Sequence, residues 1–357
     1  MNKITMCNYY GMCDSAGNVM GHTCKVTKEY LGLLSKRYAV SLLASPCIVM
    51  ALRDKKFEAK TSLKYNILID EPFTFKKRIC DKLKLLKNLQ ECVQKSKTDI
   101  LFFYQVDFFF FFYLAVLYRK RKKKVYCLIY HQDFTGGRME KVLGWFYQKA
   151  LKKVDGILYT QKGHPVKHIN ACWMPDYLYG EEQYLCYQRL EKQEKAVCLG
   201  TMNRYKCLEE LTDIFSESGY PLLIIGRFDD TRRFEQLKQR GGENIQIENR
   251  LLGQKEYYEI LGSAKFSILP YDMKQYQNRT SGVLLESLYV GSIPVAPAGL
   301  LGQNKLPGIG YGDLKELASI DLKNVPADKI ERERRLVLEE FGEGKAVEAF
   351  ENVFQVK

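Results

Sequence analysis

Residues 268–297 read ILPYDMKQYQNRTSGVLLESLYVGSIPVAP, and this stretch decides how the rest of the chain is understood. A short apolar strand, 266–270, runs into a polar loop rich in Tyr, Gln, Asn and Arg. Thr280, Ser281 and Gly282 then open a helix, Gly291 ends it, and the next strand begins at Ile293. A hydroxyl residue at a helix start caps free backbone N–H groups, and a glycine there lets a ligand approach the backbone closely. The remaining N–H groups and the helix dipole favour an anion such as a phosphate at that end. Glu286 follows Gly282 by four residues and so shares that face of the helix. Phosphates on the N–H groups, with ribose hydroxyls on the carboxylate, would suit a nucleotide. A capped helix carrying a solvated glutamate accounts for the same residues, and this stretch alone leaves both readings open.

The same alternation of strand and helix recurs outward from it. Upstream, a strand at 196–199 meets Gly200-Thr-Met-Asn-Arg-Tyr-Lys206 and a helix at 208–216. A strand at 222–225 ends in Gly226, and a strand at 245–248 precedes a helix at 257–261. The first half opens with a strand at 4–9, a loop at 11–21 holding Gly17 and Gly21, a helix at 22–37 and a strand at 40–44. That order is a βαβ unit, although the loop is not a GxGxxG fingerprint. Residues 76–97 form a basic helix in which Leu83, Leu86 and Leu89 recur at helical spacing. Such a helix packs its leucines on a sheet or lies on a membrane surface.

Residues 100–118, ILFFYQVDFFFFFYLAVLY, are long enough to span a bilayer. Gln105 and Asp107 near the middle speak against a span. The better parse is a strand at 100–104, a loop at 105–107 and a buried helix running into Arg119. The cations that follow, Arg119, Lys120, Arg121, Lys122, Lys123 and Lys124, complement a helix C-terminus. They exceed that need and form a candidate surface for lipid phosphates or an acceptor. A strand at 125–130 then delivers His131 to a strand's carboxyl end, where open α/β sheets bind ligands. Helix 141–152 and strand 156–160 follow, residues 161–194 are irregular and read as the linker, and residues 329–354 are helix-prone. The expected architecture is α/β, with two Rossmann-like domains facing a cleft. The first spans 1–180 and the second 195–330, with a C-terminal helix at 331–357 that can pack back on the first.

Charge divides the chain unevenly. Residues 1–180 hold 31 Lys and Arg against 14 Asp and Glu, whereas the remainder holds 24 against 28. A basic half beside a mildly acidic one implies a polyanionic partner for the former, or simply a crowded basic surface. No helix-turn-helix or aromatic-interleaved RNA motif is present, so nucleic acid ranks below an anionic membrane surface. The eleven cysteines show no CxxC pairing, which points to free thiols in a reducing cytoplasm. His and Cys lack ligand spacing, so no metal is expected. The N-terminal MNKITMCNYYGMC lacks the apolar core of a signal peptide.

Residues 196–297 resemble the donor-binding half of retaining glycosyltransferases of the GT-B fold, especially glycosyltransferase family 4. That family carries Gly-Arg-x(4)-Lys-Gly after the first strand of this domain. Here the positions are Gly200, Thr201, Lys206 and Cys207. Gly226 matches a later strand-ending glycine, and Asn249–Gly253, with Leu251 and Leu252, matches the loop at the base pocket. The family's Glu-x(7)-Glu becomes Asn278-x(7)-Glu286, followed by Gly291-Ser-Ile-Pro294-Val295. The first half matches only in layout, with its Gly loop, basic helices and His131.

The resemblance implies a metal-independent, retaining transfer from a nucleotide-sugar co-substrate, with no other cofactor. Lys206 and Arg204 would meet the leaving diphosphate, and His131 the sugar or acceptor. Gly200, Leu251, Leu252, Asn278, Ser281, Gly282, Val283 and Glu286 would form the donor site. The implied role is assembly of envelope polysaccharide or glycolipid on a glycan or lipid-linked acceptor, by a cytoplasmic protein held on the inner face of the membrane. Two departures, Thr201 for Arg and Asn278 for Glu, keep other readings open. One is a catalytically silent nucleotide-sugar- or lipid-binding partner in an assembly complex. The other is a nucleotide-sugar epimerase of the same fold.

Overall fold

The central strands of each sheet are short, largely apolar runs buried along most of their length, as parallel strands covered on both faces require. Ile100–Phe103, for example, is buried at every position. The computed structural model describes residues 2–17, 19, 23–53, 59–69, 74–119, 122–130, 140–176, 186–276, 281–325 and 327–354. Two units divide the chain. The first comprises Met1–Thr160, Pro165–Met174 and Glu343–Lys357, and the second Gln161–His164 and Pro175–Gly342.

The first unit holds β1 (Lys3–Asn8), β2 (Met12–Cys13), β3 (Ala39–Ala44), β4 (Ala59–Ser62), β5 (Ile67–Leu68), β6 (Ile100–Phe103), β7 (Lys124–Ile129), β8 (Gly156–Tyr159) and β9 (Ala171–Trp173). Seven of them make a parallel sheet in the order β4-β3-β1-β6-β7-β8-β9, while β2 and β5 pair separately. β9 lies inside the stretch expected to be irregular linker. The chain runs outward from β1 through β3 to β4, then returns to build from β6 on the other side. The strand order therefore reverses between β1 and β6.

The second unit holds β10 (Gln193–Leu199), β11 (Leu222–Gly226), β12 (Ile245–Asn249), β13 (Ala264–Ile268), β14 (Ile293–Pro297) and β15 (Ile309–Tyr311). They form a parallel sheet in the order β12-β11-β10-β13-β14-β15, reversing between β10 and β13. Both units thus have the doubly wound layout in which ligands bind beyond the carboxyl ends of the strands at the reversal.

Three local expectations are corrected. The helix after β6 runs Phe108–Phe112 and continues as a π-helical turn, Tyr113–Leu117, so it stops at Tyr118 before the cationic run. Asp107 starts it, its carboxylate accepting from Phe110 N at 3.2 Å. In helix Phe75–Lys95 the buried face is Leu85, Asn88, Leu89 and Cys92. Leu83 is 52% exposed and faces away from the core. The C-terminal segment is two helices, Ala327–Glu340 and Glu343–Phe354. In the latter, Phe350 and Phe354 pack edge-on against Phe102 of the first unit, each with ring centroids 5.4 Å apart.

Candidate active site

β10 ends at Leu199, and Gly200 turns the chain with φ +98°, a conformation that costs an L side chain dearly. The chain then circles back so that the Lys206 ammonium donates to the Leu199 carbonyl at 2.6 Å. A β-carbon placed on Gly200 would lie 3.8 Å from Lys206 Nζ and 3.8 Å from Val283 Cγ2. Lys206 and the first turn of helix Gly282–Tyr289 therefore meet across Gly200. This is the carboxyl end of β10, beside the reversal between β10 and β13.

Lys206 is buried, at 5% exposure. Among the described residues it has no carboxylate partner, and its second contact is the Met202 sulfur at 3.7 Å. Burial holds its pKa below the ordinary lysine value. Taking an ammonium out of water without a counter-charge is expensive, and such unbalanced charges cluster at functional sites. The loop that carries it is tied on both sides. Cys207 N donates to Pro270 O at 2.7 Å and Asp272 N to Tyr205 O at 2.9 Å, binding it to the chain beyond β13. Arg233, on helix Thr231–Arg240, donates to Asn203 O at 2.8 Å and to Lys206 O at 2.7 Å. The same guanidinium grips Glu209 at 2.6 and 2.7 Å. Asp230 caps that helix through Arg232 N and Arg233 N.

Ser281 caps helix Gly282–Tyr289, accepting from Leu284 N at 3.4 Å and lying 3.2 Å from the Tyr271 hydroxyl. Tyr271 stacks on Tyr276 with centroids 3.9 Å apart. Gly282 is exposed and Val283 half-buried. Four residues into the helix, Glu286 is 3% exposed, which removes the reading of a solvated glutamate. Its Oε2 accepts from Tyr257 at 2.6 Å and its Oε1 from Tyr258 at 3.0 Å. Burial, with the Glu286 charge second, raises the Tyr257 phenol well above its usual pKa and keeps it a donor.

Arg204 is exposed and lies 5.3 Å from the ring of its neighbour Tyr205. No contact brings it to Lys206. Leu251 is 72% exposed and Leu252 half-buried, in the loop where Arg250 pairs with Glu248 and Glu256 at 2.6 and 2.7 Å. Gly17 has φ +86° and closes a turn onto Asp14 O at 3.0 Å. Of the cationic run, Arg119, Lys122 and Lys124 are exposed. Lys123 turns inward, donating to Ser96 O at 2.6 Å and Thr98 O at 3.1 Å, which corrects its place on the surface. Gly21, Lys120, Arg121, His131 and Asn278 lie outside the described residues. Arg233, Tyr257, Tyr258 and Tyr271 were not anticipated. A tyrosine pair one turn after Gly253 was the available signal for two of them.

The first unit has its own cavity, about 440 Å³, at the reversal between β1 and β6. Tyr9, Tyr10, Gln105, Asp107 and Tyr130 line it. Tyr9 donates to Asp107 at 2.6 Å. Burial raises the Asp107 pKa, and this hydrogen bond partly opposes the shift. Among the described residues no group of three or more His, Cys, Asp or Glu could hold a metal ion. Among the same residues no helix is long and apolar enough to cross a membrane.

No protein-family model matches the chain, and no curated protein matches it in sequence. Solved structures match it end to end. A sucrose-phosphate synthase from Thermosynechococcus elongatus is 14% identical, with 99% of this chain and 98% of that one covered at TM-score 0.68. HepE from Anabaena, in complex with UDP-glucose, is 11% identical over 100% of both chains, TM-score 0.65. An α,α-trehalose-phosphate synthase (UDP-forming) from Burkholderia xenovorans, in complex with glucose-6-phosphate, is 8% identical over 99% and 100%, TM-score 0.66. The fold is the GT-B fold of these glycosyltransferases.

Proposed function

We propose that the chain is a glycosyltransferase that moves a sugar from a nucleotide-sugar to a glycan or lipid-linked acceptor. The observation that carries this reading is Lys206, buried with no carboxylate partner among the described residues where β10 meets the start of helix Gly282–Tyr289. A cation beside the start of a helix suits a leaving diphosphate, whose charge grows as the glycosidic bond breaks. Charge stabilisation by Lys206 requires no metal, and no side-chain nucleophile is needed if the acceptor attacks from the face the diphosphate leaves, with retention. Glu286, with Tyr257, is the candidate ribose holder. The tyrosine-lined cavity of the first unit is the candidate acceptor site, since aromatic faces and hydrogen-bonding groups suit a sugar. HepE was solved with UDP-glucose, so UDP-sugars are the first donor class to test.

The finer setting belongs to the same proposal. It is assembly of envelope polysaccharide or glycolipid, with the basic first unit drawn to an anionic membrane surface. A thermal-shift panel of nucleotide-sugars, followed by turnover assays with the stabilising donor, tests the reading. A ligand that binds only the native state raises the melting temperature according to its affinity. Donor binding with release of free nucleotide supports a transferase. One observation favours the silent-partner alternative: Thr201 is exposed and uncharged, and Arg204 makes no contact with Lys206. Binding without any release, with every acceptor tried, would select that alternative.

A further inference from the structure

Helix Phe75–Lys95 leaves Phe75, Ile79 and Leu83 78%, 45% and 52% exposed. They are four residues apart and form one stripe along two turns, about 12 Å of helix. Lys76, Lys82 and Lys87 are exposed beside it. Lys82 reaches over the ring of Phe109, 5.2 Å from its centroid, and so joins this helix to Phe108–Phe112. That segment's π-helical continuation ends with Val116 and Leu117 about half exposed. On the next helix, Glu140–Leu151, Phe146 packs on Phe112 at 5.3 Å, and Trp145 is 54% exposed beneath Lys149.

Three adjacent helices thus show water-facing apolar side chains interleaved with lysines. A monomer seldom exposes a large apolar patch without an interaction to cover it. Among the described residues the stripe carries no carboxylate: Asp81, on the same helix, pairs with Lys77 and Lys84. Cationic flanks around apolar residues, with a tryptophan at the edge, complement a surface that is anionic outside and apolar beneath. We propose that this face of the first unit inserts into the interfacial layer of an anionic phospholipid bilayer. Phe75, Ile79 and Leu83 lie below the headgroups, and Lys76, Lys82 and Lys87 lie at the phosphates. The inference rests on the peripheral placement proposed above, which charge attraction alone would satisfy; insertion is the added claim.

Flotation of the full chain with phosphatidylcholine vesicles, with and without phosphatidylglycerol, tests it at low and high salt. The parent binds the anionic vesicles and keeps part of that binding at high salt. Trp145 emission shifts to the blue on binding, and a Trp145→Phe variant identifies the signal. The combined variant Phe75→Ser, Ile79→Ser, Leu83→Ser loses at least about tenfold in partitioning at high salt. It keeps the parent's melting temperature, because exposed changes cost little stability. The variant Lys76→Gln, Lys82→Gln, Lys87→Gln loses binding mainly at low salt. Binding that vanishes at high salt, and that the serine variant reproduces, overturns insertion and leaves charge attraction standing. Binding to neither vesicle overturns both. Self-association of the parent that the serine variant abolishes assigns the face to a second copy and overturns the proposal.

Discussion

Gly226 sits directly against the carbonyl of Gly200: a β-carbon built on Gly226 would fall inside that C=O. Two strand ends, those of β10 and β11, meet there with no room for a methyl group. Gly226→Ala should therefore displace the Gly200 bend, and with it the Lys206 loop. Overpacking of this kind costs roughly 1–3 kcal/mol. Urea unfolding should show a lower midpoint at unchanged slope, and donor-induced thermal stabilisation should shrink. A parent-like midpoint would show that the bend yields freely.

Lys206 and Glu286 should fail in different ways. Lys206 meets charge that appears only as the bond breaks, so Lys206→Ala should lower turnover by orders of magnitude and affect donor affinity less. Glu286→Gln should raise the donor Michaelis constant more than it lowers turnover, because ribose contacts do not change during reaction. The amide still accepts from one tyrosine and can donate to the other, so the fold should survive. Parent-like kinetics in both variants would remove the donor site from this place.

The buried ammonium also fixes a pH dependence. Burial holds the Lys206 pKa below its unfolded value. Between the lowered folded pKa and the ordinary lysine pKa of about 10.4, the unfolded chain binds more protons than the folded one. The contribution of this site to stability therefore rises with pH across that window. Lys206→Met should be the more stable protein at neutral pH, with its advantage over the parent narrowing as pH rises. The turnover-to-KM ratio of the parent should fall on the alkaline side before ordinary lysines deprotonate. Bound diphosphate favours the charged amine, so the limb in turnover alone should lie higher. A methionine variant less stable than the parent at every pH would contradict this account.

Arg233 is a positioning residue: it touches Lys206 only through the backbone. Arg233→Lys keeps the charge but cannot serve Asn203 O, Lys206 O and Glu209 together. Turnover should fall about tenfold, equivalent to ~1.4 kcal/mol, with little change in the donor Michaelis constant. The alkaline limb set by Lys206 should also move. If only the melting temperature changes, the clamp is structural alone.

The alternation of strands and helices was legible because apolar runs such as 100–103 and 222–225 are short, unbroken and bounded by turns. The helix start at Ser281 was legible for a local reason as well, a hydroxyl followed by glycine. Leu83 was misassigned because spacing alone cannot tell which face of a helix is covered. The burial of Asn88 decides it, through bonds to Tyr9 O at 3.1 Å and Tyr65 O at 2.9 Å, and those partners are remote in sequence. Arg233 and Tyr257 escaped notice for the same reason: their partners, Lys206 and Glu286, lie 27 and 29 residues away.

The helix Glu343–Phe354 belongs to the first unit although residues 175–342 are made between them. On the ribosome, β6 and β7 emerge long before the side chains that cover Phe102 and Tyr126. At ordinary elongation rates the wait is on the order of ten seconds. During that interval one face of the nascent sheet stands open, with Phe102 bare of Phe350 and Phe354. The Tyr126 hydroxyl likewise lacks its eventual acceptor, the Phe354 carbonyl at 3.1 Å. The second unit, whose strands arrive consecutively, can close first. Vectorial synthesis therefore lets the second half close before the first is complete, the reverse of their order of emergence.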